Sequence, residues 1–297
     1  MTETGPTTET MTATPASTAR AGSAPATRPS VADVTVVVPT RNAAHILPGC
    51  LESIRRQAPG GLVVVDGLST DATRDIAAGF DAVILSDGGK GLPFARAAGA
   101  SAATTRYVAL VDADVILPDG TLAALLTEFV DGGYVALQAG LESEAGPGYW
   151  GQALAWHHRT GRSRYWFGLV ATILERERLL EHGFDAEFES GEDIELRWRL
   201  ASAGDKAGVS RTTVVRHRFD DTWDFARGQF RADGKGLARM VRKHGLRGAR
   251  LLLLPGVAAV RGILLSIVRL QPRWIPYYLA FAAGNYVAMA GELLRRT

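Results

Sequence analysis

Short apolar runs alternate along this chain with segments whose apolar residues recur at helical spacing. The runs lie at 34–38, 62–65, 82–85 and 107–111. Such runs suit strands buried on both faces of a sheet. Pro39 is expected to stop the first of them. Between the first two, Ile46, Leu47, Leu51 and Ile54 mark a helix towards Gln57, with Asn42 as a candidate N-cap. After the second run, Ser69 or Thr70 is placed to cap a helix reaching about Ala78, and 92–103 reads as a third helix. Pro118 is expected to open a helix to about Phe129, followed by a strand at 134–139 and a loop at 144–148. A helix at 149–159, a strand at 169–174, a helix at 191–203 and a strand at 214–217 complete the alternation. Strands and helices in this order predict an α/β fold with a largely parallel sheet.

The fourth run ends in Asp112-Ala113-Asp114. In an extended segment alternate side chains share a face, so both carboxylates would converge at the strand's C-terminal end. Ligands of open α/β sheets bind at that end. Paired hard oxygens suit Mg²⁺ or Mn²⁺ shared with phosphates, and the plain alternative is an acidic turn closing a strand. On the last predicted helix, Asp193 and Arg197 are spaced as an i,i+4 ion pair. The helix dipole and that arginine would hold the Asp193 carboxyl low.

Charge divides the chain. The net charge is +2, but residues 223–297 hold thirteen Lys or Arg against three Asp or Glu, a balance of +10 that leaves −8 for the rest. A basic C-terminal quarter suits anionic phosphates or a lipid surface. Residues 1–32 are rich in Thr, Ala, Pro, Ser and Gly, without an apolar run or the pattern of a secretory signal, and read as a disordered tail. The single cysteine, Cys50, excludes an internal disulfide and fits a reducing compartment. The glycines around Lys90 lack the spacing of a phosphate-binding P-loop.

Five motifs in order resemble the family 2 glycosyltransferases, which have the GT-A fold. They are Val36-Val37-Val38-Pro39-Thr40-Arg41-Asn42, Val64-Val65-Asp66-Gly67-Leu68-Ser69-Thr70-Asp71-Ala72-Thr73, Ala95-Arg96-Ala97-Ala98-Gly99, Asp112-Ala113-Asp114 and Gly191-Glu192-Asp193. The region from Gly191 on, with Gln229 and Gly234-Lys235-Gly236, is closest in character to bacterial enzymes that build exopolysaccharide on lipid carriers. The resemblance implies an inverting, metal-dependent glycosyltransferase of hexosyltransferase type, with Mg²⁺ or Mn²⁺ as cofactor. Its donor would be a nucleotide-diphosphate sugar, UDP-sugar favoured, and its acceptor a hydroxyl, lipid-linked ones included. The product class would be cell-surface polysaccharide or glycolipid, with no nucleic-acid partner. By resemblance Pro39 and Thr40 lie beside the nucleotide, Asp66 bonds the base, and Arg96 lies near the nucleotide. Asp112 reaches ribose or metal, and Asp114 and His217 are metal ligands. Asp193 is the general base with Glu192 supporting it, and Arg231 contacts the diphosphate. Gln229-Phe230-Arg231 departs from the Gln-x-x-Arg-Trp signature of processive synthases. Trp150, Trp156, His157 and His158 read either as acceptor platforms or as core.

Three segments follow: the tail 1–32, a GT-A catalytic domain at 33–222, and a basic, apolar helical segment at 223–297. That last segment has apolar stretches at 251–268, with Arg261 inside, and at 275–291. The expectation is attachment at the cytoplasmic face of the cell membrane, peripheral or as a hairpin, with packing on protein as the rival. Two other functions fit an α/β sheet with a metal-binding edge. A sugar-1-phosphate nucleotidyltransferase would want a glycine-rich basic loop after the first strand, and Pro39-Thr40-Arg41-Asn42 is not one. A catalytically silent membrane scaffold would not need the acidic set.

Overall fold

A computed structural model describes residues 28–161 and 166–295. Most of the predicted tail, and Arg296, lie outside the described residues. The chain runs β1 (Val34–Thr40), α1 (Leu47–Arg55), β2 (Gly61–Asp66), α2 (Thr73–Ala78), β3 (Val83–Ser86), α3 (Leu92–Ala102) and β4 (Tyr107–Val111). It continues through β5 (Val115–Ile116), α4 (Thr121–Asp131), β6 (Ala136–Ala145), α5 (Tyr149–Thr160), β7 (Ala171–Glu175), α6 (Arg176–His182), α7 (Glu192–Ser202) and β8 (Ala207–Phe219). Six more helical elements follow among the described residues, four of them α-helices: α8 (Trp223–His244), α9 (Leu246–Ala249), α10 (Leu254–Val268) and α11 (Ile275–Leu294).

The eight strands form one mixed sheet in the order β3-β2-β1-β4-β7-β6-β8-β5. β1 to β4 are mutually parallel, while β7 is antiparallel to both β4 and β6. The alternation within β1 builds two layers of core. Val34, Val36 and Val38 pack with Leu47, Leu51 and Ile54 of α1 and Leu122, Leu125 and Phe129 of α4. Val37 faces the other way, with Ala95 and Ala100 of α3 and Leu196 and Leu200 of α7. Sequence order reverses between β1 and β4, which places the crevice of this doubly wound half where Thr40 and Asp112 emerge.

Several local expectations give way to tertiary contacts. Pro39 does not stop β1; it pairs with Val65 inside the strand. The ladder to β4 ends at Val37, so the missing N–H of Pro39 faces no partner strand. Asn42 is not a helix cap, since α1 begins at Leu47 after Ile46. Its side chain instead accepts the Thr70 N–H at 2.8 Å, and its own N–H donates to Ser69 Oγ at 2.8 Å. Nor does Ser69 or Thr70 cap α2: its N-cap is Ala72, which bonds through no side chain, and Asp71 just before it accepts the Thr73 N–H at 3.1 Å. The helix expected from Pro118 begins at Thr121, one residue after Gly120 at φ +75°. β6 runs through the expected loop to Ala145, because β8 pairs with it as far as Phe219.

α3 lies close on the sheet at Gly99, where an added Cβ would sit 2.2 Å from Val37 Cγ1. Gly99→Ala is therefore expected to destabilise the protein by about 1–3 kcal/mol through overpacking. A urea denaturation midpoint equal to wild type would contradict this contact.

Candidate functional site

The site grows from the C-terminal edge of β1, β2 and β4. Thr40 and Asp66 are register partners on adjacent strands, and both are buried. Asp66 accepts from the Ser69 N–H at 3.3 Å, with the Arg74 guanidinium 3.5 Å away. Thr40 Oγ1 is buried with no hydrogen-bond partner among the described residues. The loops after β1 and β2 brace each other: besides the Asn42 bonds, Ala43 N–H donates to Thr73 Oγ1 and Ala44 N–H to Asp71. Leu68 between them holds φ +60°, a costly conformation for leucine that this network sustains.

Residues 112–115 are a turn rather than an extended segment, closed by Val115 N–H donating to the Asp112 carbonyl at 3.1 Å. Asp112 and Asp114 are thus brought together by a bend and not by strand alternation. β5 follows at once and pairs antiparallel with β8, setting His217 opposite Val115. The imidazole Nε2 lies 3.1 Å from Asp114 Oδ2. Burial disfavours the imidazolium, but the carboxylates of Asp114 and then Asp112 outweigh it, and His217 is raised above its ordinary value.

Arg96 is 1% exposed and sits at the middle of the site. Its guanidinium donates to Asp112 Oδ1 at 2.9 Å and to Glu192 Oε1 in a second, shorter contact. It is not a solvated helix residue. It joins the end of β4 to the first turn of α7. Asp193 follows Glu192 in that turn and is half-buried. Burial first, and the neighbouring Glu192 carboxylate second, push its carboxyl up to about 7. The expectation of a lowered value fails for a clear reason. No ion pair joins Asp193 to Arg197 among the described residues, and Arg197 lies over the Phe167 ring, 5.8 Å from its centroid. Asp112 is likewise raised by burial, with Arg96 opposing and Asp114 reinforcing the shift.

Of the other anticipated residues, Arg231 is exposed on α8 and does not join the cluster. Gln229 and Asp233, two positions to either side, face roughly 160–200° away around the helix. Trp150, Trp156 and His157 are core, packed with Phe230, Trp274, Tyr277 and Tyr278. Burial lowers His157 to about 4 and His158 to about 3, and His158 bonds Ser143. Gln138 was missed. Wholly buried on β6, it accepts the Gly168 N–H at 2.7 Å and donates to the Trp166 carbonyl at 2.8 Å, fixing the strand approach beside Asp193. Its only sequence signal is a polar residue inside an apolar run.

The donor set bears on a metal ion. Among the described residues no three His, Cys, Asp or Glu groups converge as an all-protein cage. Asp114 Oδ1, however, is buried without a partner, and so is His217 Nδ1. One or two carboxylates with phosphate oxygens completing the shell is the arrangement that Mg²⁺ favours. The residues fit that arrangement.

Arg96→Met should leave Glu192 and Asp112 buried without their cation. The expected loss is about 3–5 kcal/mol. Thermal unfolding of the variant within 2 °C of wild type would show the pair to be dispensable.

Residues 35–183 match the family model described as Glycosyl transferase family 2. The pre-mycofactocin glycosyltransferase of Mycobacterium tuberculosis is 32% identical over 286 residues, which is 90% of this chain and 59% of that protein. A PGL/p-HBAD biosynthesis glycosyltransferase of Mycobacterium bovis is 37% identical over 103 residues, 32% of this chain and 40% of that protein. The chain thus spans less than two thirds of the length of that pre-mycofactocin relative. Among solved structures, S. aureus TarS 1–349 in complex with UDP superposes with a TM-score of 0.51 at 16% identity, covering 87% of this chain and 90% of that one. That likeness is one of fold.

Proposed function

Since the chain belongs to glycosyl transferase family 2, we propose that it moves a sugar from a nucleoside diphosphate, a UDP-sugar in the first instance, to an acceptor hydroxyl with inversion. The observation carrying this reading is the Arg96 bridge, which sets the turn acids Asp112 and Asp114 against the Glu192-Asp193 helix start. In this reading Asp66 accepts a base N–H and the Thr40 hydroxyl bonds the nucleotide beside it, a role supported by the two being register partners and by Thr40 Oγ1 having no other partner among the described residues. Asp112 and Asp114 would hold a divalent ion, with His217 against Asp114. When bound, such an ion supplies charge that offsets the departing diphosphate. A single displacement needs one base and no covalent nucleophile, and Asp193 is that base. Its carboxyl lies near neutrality, so it takes up a proton readily and is still ionised in mildly alkaline solution.

The sign of the pH response follows. Below its pKa of about 7 the Asp193 carboxyl is protonated and takes no proton from the acceptor. Turnover should rise with pH through that region, by about tenfold per unit at its lower limb. Nucleotide binding should not follow the same curve. Asp193→Asn should lose roughly 10²-fold or more in turnover while UDP affinity by titration calorimetry stays within a few-fold. Near-normal turnover would move the base elsewhere, Glu192 first.

The same reading puts the enzyme on the cytoplasmic face of a membrane, with a lipid-linked acceptor in reach. Leu246–Val268 is the one stretch among the described residues long and apolar enough to cross a membrane. It also supports an interfacial placement. One side of α10 is packed, with Gly262 against the Tyr278 ring and Arg261 donating to the Thr160 carbonyl. The other side exposes Val257, Val260, Leu264 and Val268 at helical spacing. Arg247 and Arg250 near one end, and Arg269 and Arg273 near the other, complement anionic headgroups. The protein should float with phosphatidylglycerol vesicles. Val257→Glu with Val260→Glu should abolish flotation without changing UDP affinity. A wild-type protein that stays at the bottom of the gradient would remove the membrane from the reading.

A further inference from the structure

The C-terminal helices do more than cover one side of the catalytic half. α8 crosses the start of α7 at backbone contact: a Cβ built on Gly191 would lie 3.0 Å from Gly236 Cα, and one on Gly236 would lie 2.8 Å from the Ser190 carbonyl oxygen. Gly191 also holds φ +82°, so both glycines are demanded by the crossing. A hydrogen bond from Ser190 Oγ to the Ala232 carbonyl, 2.9 Å, locks the same place. Asp233 stands between these two contacts, one turn before Gly236 and on its side of the helix. The crossing therefore brings a second carboxylate to the start of α7, and its charge is among the influences that raise Asp193.

Asp233 is held on one side only. Gln229, one turn earlier, donates to Asp233 Oδ1 at 2.8 Å. Among the described residues Oδ2 accepts no hydrogen bond and pairs with no cation. Tyr277 of α11 supplies an independent sign of a missing partner. Its side chain is wholly enclosed, its hydroxyl lies in the field of Asp233, and that hydroxyl bonds nothing among the described residues. A buried hydroxyl left without a partner costs about 1–3 kcal/mol.

We propose that Asp233, steadied by Gln229, is an acceptor-binding residue that receives a second hydroxyl of a polyhydroxylated acceptor while Asp193 receives the hydroxyl that is glycosylated. The inference rests on Asp193 being the base and adds the acceptor class: a sugar or polyol carrying neighbouring hydroxyls, as against a simple alcohol. An ionised carboxylate has acceptor capacity for two such donors and no donor of its own, which suits hydroxyl-rich ligands. Burial raises Asp233 to about 6, so it is largely ionised at neutral pH, with the Gln229 amide favouring that form.

The test compares two acceptors and water with one radiolabelled UDP-sugar on the full chain. Methyl β-D-glucopyranoside is the polyol probe and n-butanol the monohydroxy probe. Wild type should prefer the glucoside in kcat/KM. Asp233→Asn should cut that preference at least tenfold, mainly through KM for the glucoside, with donor hydrolysis falling less than transfer and UDP affinity within twofold. Gln229→Ala, an exposed and structurally mild change, should shift the preference in the same direction by a smaller factor. An unchanged preference in Asp233→Asn overturns this inference alone. So does a fall in hydrolysis matching the fall in transfer, because that marks a structural role. A wild-type protein that releases UDP from no sugar nucleotide overturns the transferase reading, and this inference with it.

Discussion

A single buried cation organises this molecule. Burying a guanidinium is costly unless its charge is met and its N–H groups are used. Arg96 is met by Asp112 from the end of β4 and by Glu192 from the start of α7, elements about eighty residues apart in sequence. Each carboxylate alone would also be costly at that depth. The three groups are therefore stable together and unstable apart. The consequence is positional: with Glu192 fixed, Asp193 must stand at the rim of the same crevice that receives the turn from Asp112 to Val115. Between them the groups join two walls of the crevice, the edge of β1, β2 and β4 and the start of α7.

The strands of the parallel half were legible because they are buried on both faces and read as unbroken apolar runs; β4 falls on the residues expected, Tyr107–Val111. The helices between them were legible from periodicity. What could not be read were the connections, where side chains serve distant backbone. Asn42 looked like a cap because Asn caps helices, yet its amide is spent on the loop after β2. Neither Ser69 nor Thr70 caps α2, whose N-cap is Ala72, and the turn before it is closed by Asp71 instead. Pro39 looked like a terminator because its loss of a donor matters in a central strand, and only the register with β4 reveals that the donor was never needed there.

The site shows the same division. Asp112, Asp114, Arg96, Glu192 and Asp193 were found as residues, from motif resemblance, but their relations were not. The turn at 112–115 and the bridge through Arg96 depend on which strands are neighbours. The ionisation of Asp193 was misjudged in sign for that reason. Spacing on one helix offered Arg197 as its partner, while the fold turned Arg197 to Phe167 and brought Glu192 and Asp233 instead. Gln138 was invisible for a similar cause. Its value lies in three backbone groups of residues 166–170, which only the β6–β7 pairing brings within reach.

The C-terminal helices are bound to the catalytic half by more than an apolar face. α5 contributes Trp150, Trp156 and His157 to a cluster with Phe230 of α8 and Tyr277, Tyr278 and Phe281 of α11. Glu292 near the end of α11 pairs with Arg239 of α8 at 3.0 Å, and Asp221 accepts the Gly148 N–H at 2.6 Å at the helix root. A chain cut after α8 would strip α11 from Phe230 and leave that aromatic surface in water, so the segment is not a detachable anchor. Its polarity is divided accordingly. The inner surfaces of α8 and α11 are spent on α5, α7 and one another, and the outer surface of α10 is left apolar and rimmed by arginines. Because α8 also touches Gly191, any movement of α10 and α11 on a surface would be transmitted to the first turn of α7. The C-terminal helices and the first turn of α7 are thus one packed unit, and under the proposed function that unit would join membrane placement to the position of Asp193.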